Sequence, residues 1–159
     1  GHYDCLVFDA LEQGSVMVPD DGKSRGNMPM HMVHADDMAS AVMSALDKRG
    51  KLVLGQSFNV APELPVSVFG YAKGLAEMMG LKDPNIKLRP WVDFQAALGS
   101  RDVALQAHDT LFRYPYAKTE KCRRVLRVEP NPLIAACYDA VAFYKANPTY
   151  VHPPKAPEP

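Results

Sequence analysis

Residues 32–42, Met32-Val-His-Ala-Asp-Asp-Met-Ala-Ser-Ala-Val42, pass from a short apolar stretch through two adjacent carboxylates into a segment with helical spacing. The stretch predicts a strand ending at Ala35. Asp36 or Asp37 then stands where a side chain accepts hydrogen bonds from the orphan N–H groups that open a helix. Val42, Ala45 and Leu46 share a helical face with Met38, so the helix is amphipathic. A strand turning through an aspartate into such a helix is an α/β unit.

Further along, the stretch Gly55-Gln-Ser-Phe-Asn-Val-Ala61 predicts a second strand at Asn59-Val-Ala61, and Pro62-Glu-Leu-Pro-Val-Ser67 reads as a proline-marked loop. Ser67 is the expected cap of a helix over 68–79. Val68, Ala72, Leu75, Ala76 and Met79 keep its spacing, and Gly80 supplies a left-handed stop. A strand near 86–89 follows, then a variable region, then Thr119-Glu-Lys-Cys-Arg-Arg-Val-Leu126 with Val128-Glu-Pro130, and a last helix over 133–145.

This order resembles the second half of an extended short-chain dehydrogenase/reductase, the family that includes NAD(P)-dependent epimerases, dehydratases and sterol-type dehydrogenases. The late segment is similar to the family's K-A-x-x-x-L-G-[WY]-x-P, with Arg127 where that pattern has glycine and Val128 where it has an aromatic residue. The likeness covers residues 10–147. It implies an α/β fold, a mixed small sheet with packed helices, forming the substrate-binding part of such a protein.

The parts that hold and use the cofactor are missing. A Rossmann-type dinucleotide site needs a glycine-rich turn between a strand and a helix, where backbone N–H groups approach the pyrophosphate. The ten glycines are scattered and form no G-x-G-x-x-G. The family's catalytic tyrosine, with its lysine four residues on, would precede residue 1. Tyr114-Pro-Tyr-Ala-Lys118 satisfies that spacing, but Pro115 cannot lie inside the helix the pair requires. No catalytic and no cofactor-binding residue is therefore assigned. The resemblance implies NAD or NADP in the parent enzyme and none on this fragment.

Composition fits an incomplete enzyme. At 159 residues, 47% hydrophobic and zero formal net charge, the chain is long enough for one domain with a core. Neutral charge without a basic patch argues against nucleic acid or an anionic membrane as a partner. No apolar run approaches the ~20 residues that cross a bilayer, and no secretory signal is visible, which leads to a cytoplasmic expectation. Cys5, Cys122 and Cys137 are odd in number, lack C-x-x-C spacing and read as reduced thiols. Gly1-His2 resembles a cleaved tag, 3–147 the half-domain, and the proline-rich 148–159 an extended or disordered tail.

His31, His34, Asp36 and Asp37 carry metal-ligand chemistry. Residues three apart on a strand point to opposite faces, so His31 and His34 should diverge, and no metal site is assigned. In the family reading His34 is a buried structural histidine, and Asp36 or Asp37 fixes the turn. Nucleotide-sugar members commonly carry Arg-Asp-[Phe/Tyr]-[Ile/Val]-His here, with the arginine on substrate phosphates. This chain places Met30 and His31 there, which favours an apolar substrate of sterol, flavonoid or lipid type. Core filling is the alternative use of these methionines.

Arg113, Tyr114 and Tyr116 precede the late helix, where relatives reach over the substrate, and Trp91 opens the variable segment that builds their lid. The candidate substrate-binding set is thus Met30, His31, Trp91, Arg113, Tyr114 and Tyr116. Loop packing is the alternative for the Arg113–Tyr116 group. Lys121, Arg123 and Arg124 read as a solvated helix face. Together these readings give the substrate-pocket part of an NAD(P)-dependent protein, inactive alone, whose apolar face self-associates where a Rossmann half would cover it. A stand-alone binding or interaction module is the alternative, and it would have made that face polar.

Overall fold

The computed structural model describes residues 14–20, 22–97, 101–112 and 116–147. The suggested tag residues, Cys5, Arg113, Tyr114 and the proline-rich tail lie outside them. Within these limits the chain is the expected mixed α/β fold. Its elements run β1 (Ser15–Asp20), β2 (Pro29–Met30), α1 (Ala35–Asp47), β3 (Val66–Ser67), α2 (Val68–Met78), β4 (Asn85–Pro90), α3 (Trp91–Ala97), α4 (Arg101–Phe112), a π-helical turn (Cys122–Leu126) and α5 (Leu133–Ala146).

Val16 and Val18 alternate inward on β1, which pairs in parallel with β4, Ser15 opposite Asn85 through Asp20 opposite Pro90. Gly26 lies where chain segments crowd. A Cβ there would sit 2.6 Å from Leu88 Cδ2 and 3.1 Å from Val18 Cγ1, at a φ of +75° that side chains rarely adopt. β2 and β3 form a two-residue antiparallel ladder, Pro29 opposite Ser67 and Met30 opposite Val66.

Helix α2 forms as its sequence dictates. Ser67 Oγ accepts from the Gly70 N–H at 3.0 Å, and Val68, Ala72, Leu75 and Ala76 are buried. At the other end Gly80 has φ +79°, while the Leu81 N–H donates to the Ala76 carbonyl and the Gly80 N–H to Glu77, each at 3.0 Å. This is a Schellman stop. The strand expected at 86–89 is β4, and the last helix is α5.

Three expectations are corrected. Residues 31–35 are not a strand, because the ladder ends at Met30 and no partner continues it. Neither aspartate caps α1: His34 is the cap, its Nδ1 accepting from the Asp36 N–H at 3.3 Å. The strand expected at residues 59–61 does not form, since no described strand runs beside them.

The main core joins Val16 and Val18 of β1, Met28, Met30, the inner face of α2, Leu111 of α4, and Leu133, Cys137, Val141 and Tyr144 of α5. A second, smaller cluster of Ala41, Cys122 and Leu126, flanked by Phe58 and Val60, fixes α1 and the π-turn to one another. Ser44 Oγ and Lys48 Nζ both donate to the Leu126 carbonyl, satisfying an acceptor that the end of the turn leaves free.

Candidate functional site

The site is built around His31. The residue is buried, its Nε2 donates to the Pro62 carbonyl at 2.6 Å, and its Nδ1 accepts from the Ala117 N–H at 3.2 Å. A carbonyl can only accept and an amide N–H can only donate, so the pair of bonds selects the Nε2–H tautomer. His31 thereby ties the 61–64 loop to the 116–120 segment. Tyr116 stacks on its ring, with centroids 5.5 Å apart and planes 19° from parallel, and is itself 60% exposed.

Two clefts open beside this clamp, sharing Glu63, Leu64 and Arg123. One, of about 330 Å³, is closed by Pro62, Pro130, Pro132 and Glu129. The other, of about 320 Å³, is lined by Tyr116, Lys118, Thr119 and Glu120. Arg123 stands between them. Its Nη1 is 2.8 Å from Glu63 Oε1, and its Nε is buried with no hydrogen-bond partner among the described residues. Three carboxylates, Glu63, Glu120 and Glu129, face two cations, Arg123 and Lys118, beside proline and leucine walls. Such a lining, with more carboxylates than cations, disfavours a polyanion.

The expected residues divide. His31 and Tyr116 are brought together. Met30 is fully buried in the main core, so its burial fits core filling and leaves no surface for a ligand. Trp91 belongs to a separate aromatic group with Phe94, His108 and Phe112, centroids 5.0 to 5.5 Å from its own. Arg113 and Tyr114 fall outside the described residues, so the Tyr114–Lys118 spacing has no described geometry. Lys118 is exposed, and its carbonyl accepts from Asn59 Nδ2 at 3.1 Å.

The structural trio is reassigned. His31, not His34, is the buried histidine. His34 reaches outward between Asp36 and Asp139, Nδ1 and Nε2 each 3.8 Å from a carboxylate. Asp37 is buried and accepts from the backbone and side-chain amides of Asn131, each at 3.0 Å. The four residues with metal-ligand chemistry do not converge. His34, Asp36 and Asp139 each bring one ligand atom within 4.8 Å of the others, but the two carboxylates address opposite ring nitrogens. At 3.8 Å neither carboxylate is within hydrogen-bonding distance of the ring, and the arrangement brings α1 and α5 side chains near one another without forming a shared ion site.

The basic trio is also corrected. Lys121 turns onto residues 56–58, donating to Gln56 Oε1 at 2.8 Å and the Ser57 carbonyl at 3.0 Å with its ammonium over the Phe58 ring. Arg123 lines both clefts, and only Arg124 of the three is exposed. Sequence reasoning missed Arg123 and Glu63. The π-turn shifts side chains off the face a regular helix would give them, and the single opposing charge in Pro62-Glu-Leu-Pro65 was the available signal.

The described residues do not fit a dinucleotide. β1 leads into a loop rather than a helix, and β4 enters α3 at Trp91 with no glycine between them. Cys122 is buried in the second cluster, and burial pushes its thiol above the ordinary value of 9.0. That holds the thiol protonated and unreactive. No described helix is long and apolar enough to cross a membrane.

No family model matches the chain, and no curated protein matches it. Solved structures share its fold. A dTDP-glucose 4,6-dehydratase from Bacillus anthracis, in complex with NAD, matches over 91% of this chain and 39% of its own, with 17% identity and TM-score 0.61. An NADPH-dependent quinone oxidoreductase from Escherichia coli matches over 89% of this chain and 52% of its own, with 16% identity and TM-score 0.65. The terminal R domain of the myxalamid PKS-NRPS pathway matches over 92% and 39%, with 10% identity and TM-score 0.56. The chain thus has the fold of part of these proteins and spans 39% to 52% of their length.

Proposed function

We propose that this chain is the substrate-side part of an NAD(P)-dependent protein of the epimerase, dehydratase and reductase kind, resembling the extended short-chain dehydrogenases/reductases. One observation carries the reading: nine-tenths of the chain matches less than half of an NAD-bound dehydratase. In this reading NAD or NADP is held by polypeptide outside the 159 residues. The cofactor would supply hydride chemistry. This chain shapes the pocket and catalyses nothing alone.

Within that reading the substrate is a sterol- or flavonoid-type molecule rather than a nucleotide sugar. Tyr116 offers an exposed ring face for stacking, Arg123 a guanidinium edge for a carbonyl or hydroxyl oxygen, and Pro62, Leu64, Pro130 and Pro132 the apolar walls. The excess of carboxylates over cations opposes a pyrophosphate. His31 acts through the 116–117 segment as a positioning residue. A cytoplasmic location belongs to the same reading, since the buried thiol of Cys122 suits a reducing compartment.

The test is a chemical-shift titration of the labelled chain with naringenin, progesterone and UDP-glucose as probes. The expected result is saturable shifts at residues 62–64, 116–120 and 123 for one of the first two and none for UDP-glucose. Shifts for UDP-glucose alone would overturn the substrate class, and absence of shifts at these residues for all three would overturn the site.

A further inference from the structure

We propose that His31 is a proton-operated catch: acidification charges its ring, breaks its bond to Ala117 and frees Tyr116 from the wall of the second cleft. The catch rests on the geometry of the clamp, and only its effect on a ligand rests on the reading of the clefts given above.

The two sides of the ring answer differently to a proton. Nε2 already carries one and donates to the Pro62 carbonyl at 2.6 Å, a bond that an imidazolium keeps. Nδ1 is an acceptor, held by the Ala117 N–H at 3.2 Å. Once protonated it is a donor facing a donor, in a side chain only 8% exposed, so little water reaches the two unpaired groups. The backbone at Ala117 then parts from the ring, while the 61–64 loop stays.

The release has a defined end. The Lys118 carbonyl accepts from Asn59 Nδ2 at 3.1 Å, and buried Thr119 accepts from the Arg123 N–H at 3.2 Å. Movement therefore stops at Lys118 and takes Ala117 and Tyr116 with it. An imidazolium attracts the face of a phenol ring, but Tyr116 is exposed, where that attraction is weak, and it gives Ala117 no acceptor.

No nearby carboxylate rewards a charge on the ring where it stands. The segments that hold it carry Glu63 on one side and Tyr116, Lys118 and Glu120 on the other, and Arg123 of the π-turn pairs with Glu63. Of the helices packed on β2, α2 carries buried Tyr71 and the Lys73–Glu77 pair. Helix α4 carries Arg101, Asp102 and the neighbours His108 and Asp109. His34, at the start of α1, lies between Asp36 and Asp139. None of these forms an ion pair with His31 among the described residues.

Proton–nitrogen correlation spectra of the labelled chain, including long-range imidazole correlations, test this from about pH 8 to about pH 5, the range in which histidine side chains change charge. The expected result is the Nε2–H tautomer at the high end. As His31 charges, the Ala117 amide is expected to lose its hydrogen-bonded shift and about tenfold in exchange protection, while 62–64 are unchanged. His31→Gln offers one donor and one acceptor without titrating, and should hold Ala117 constant throughout. His31 charging with Ala117 unmoved, His31 neutral over the whole range, or Ala117 released in a folded His31→Gln chain would overturn the proposal. Should His31→Gln fail to fold, the unsubstituted chain decides: coincident midpoints for His31 and Ala117 support the catch and separate ones refute it. No ligand enters these measurements, so a failure of the clefts to bind would leave the catch standing.

Discussion

Asp37 grips Asn131 twice, its two carboxylate oxygens accepting from the backbone N–H and the side-chain amide at 3.0 Å each. The contact joins the start of α1 to the loop before α5, 94 positions along the chain. Asp36, beside it in sequence, is exposed and caps nothing.

The two aspartates should therefore respond differently to substitution. Asp37→Ala removes two hydrogen bonds to a buried carboxylate and is expected to cost about 1–3 kcal/mol. Asp36→Ala should cost less than about 0.5 kcal/mol. Urea denaturation of the two variants measures both, and equal effects would contradict the assignment.

Arg127 adopts φ +56° after the π-turn, at the position where the family pattern carries glycine. A side chain pays about 1 kcal/mol for that conformation. Arg127→Gly is expected to raise the unfolding midpoint at unchanged m-value, by roughly that amount.

A Cβ on Gly74 would meet Ile134 Cδ1 at 2.7 Å, where α2 packs on α5. Gly74→Ala is expected to destabilise the chain by about 1–2 kcal/mol, overpacking outweighing the gain in helix propensity. Adding Ile134→Val removes the offending methyl and should recover most of the loss. A double variant no more stable than Gly74→Ala would contradict the packing.

The raised Cys122 thiol gives a pH dependence with a definite sign. The folded state holds the proton more tightly than the unfolded chain, so unfolding releases it. This contribution is present below the ordinary value of 9.0 and is lost as pH rises through the folded value. Iodoacetamide at neutral pH should spare Cys122 in the native protein and modify it in urea, as mass spectrometry reads directly.

How far the sequence reaches depends on whether the information is local. Helix α2 is legible from end to end because Ser67, the apolar spacing and Gly80 all act within one segment. The capping of α1 is not, since Asp37 answers to Asn131, far along the chain, and leaves the task to His34. β1 escaped notice because its signal is two alternating valines before Pro19, and its partner β4 lies 70 positions on. The expected strand at 59–61 has the residues of a strand but no described neighbour to pair with. Of the candidate site, Tyr116 and His31 were visible as residue types in suggestive places. Arg123 was hidden by the π-turn, and Met30 was drawn into the core by its ladder with Val66.

The central claim is that this chain shapes a ligand pocket while the dinucleotide is held elsewhere. Its most direct test is calorimetric titration of NADH and NADPH into the 159-residue chain. The account predicts no saturable heat with either, because no described strand passes through a glycine turn into a helix. Saturable binding of either dinucleotide at micromolar concentration would contradict it.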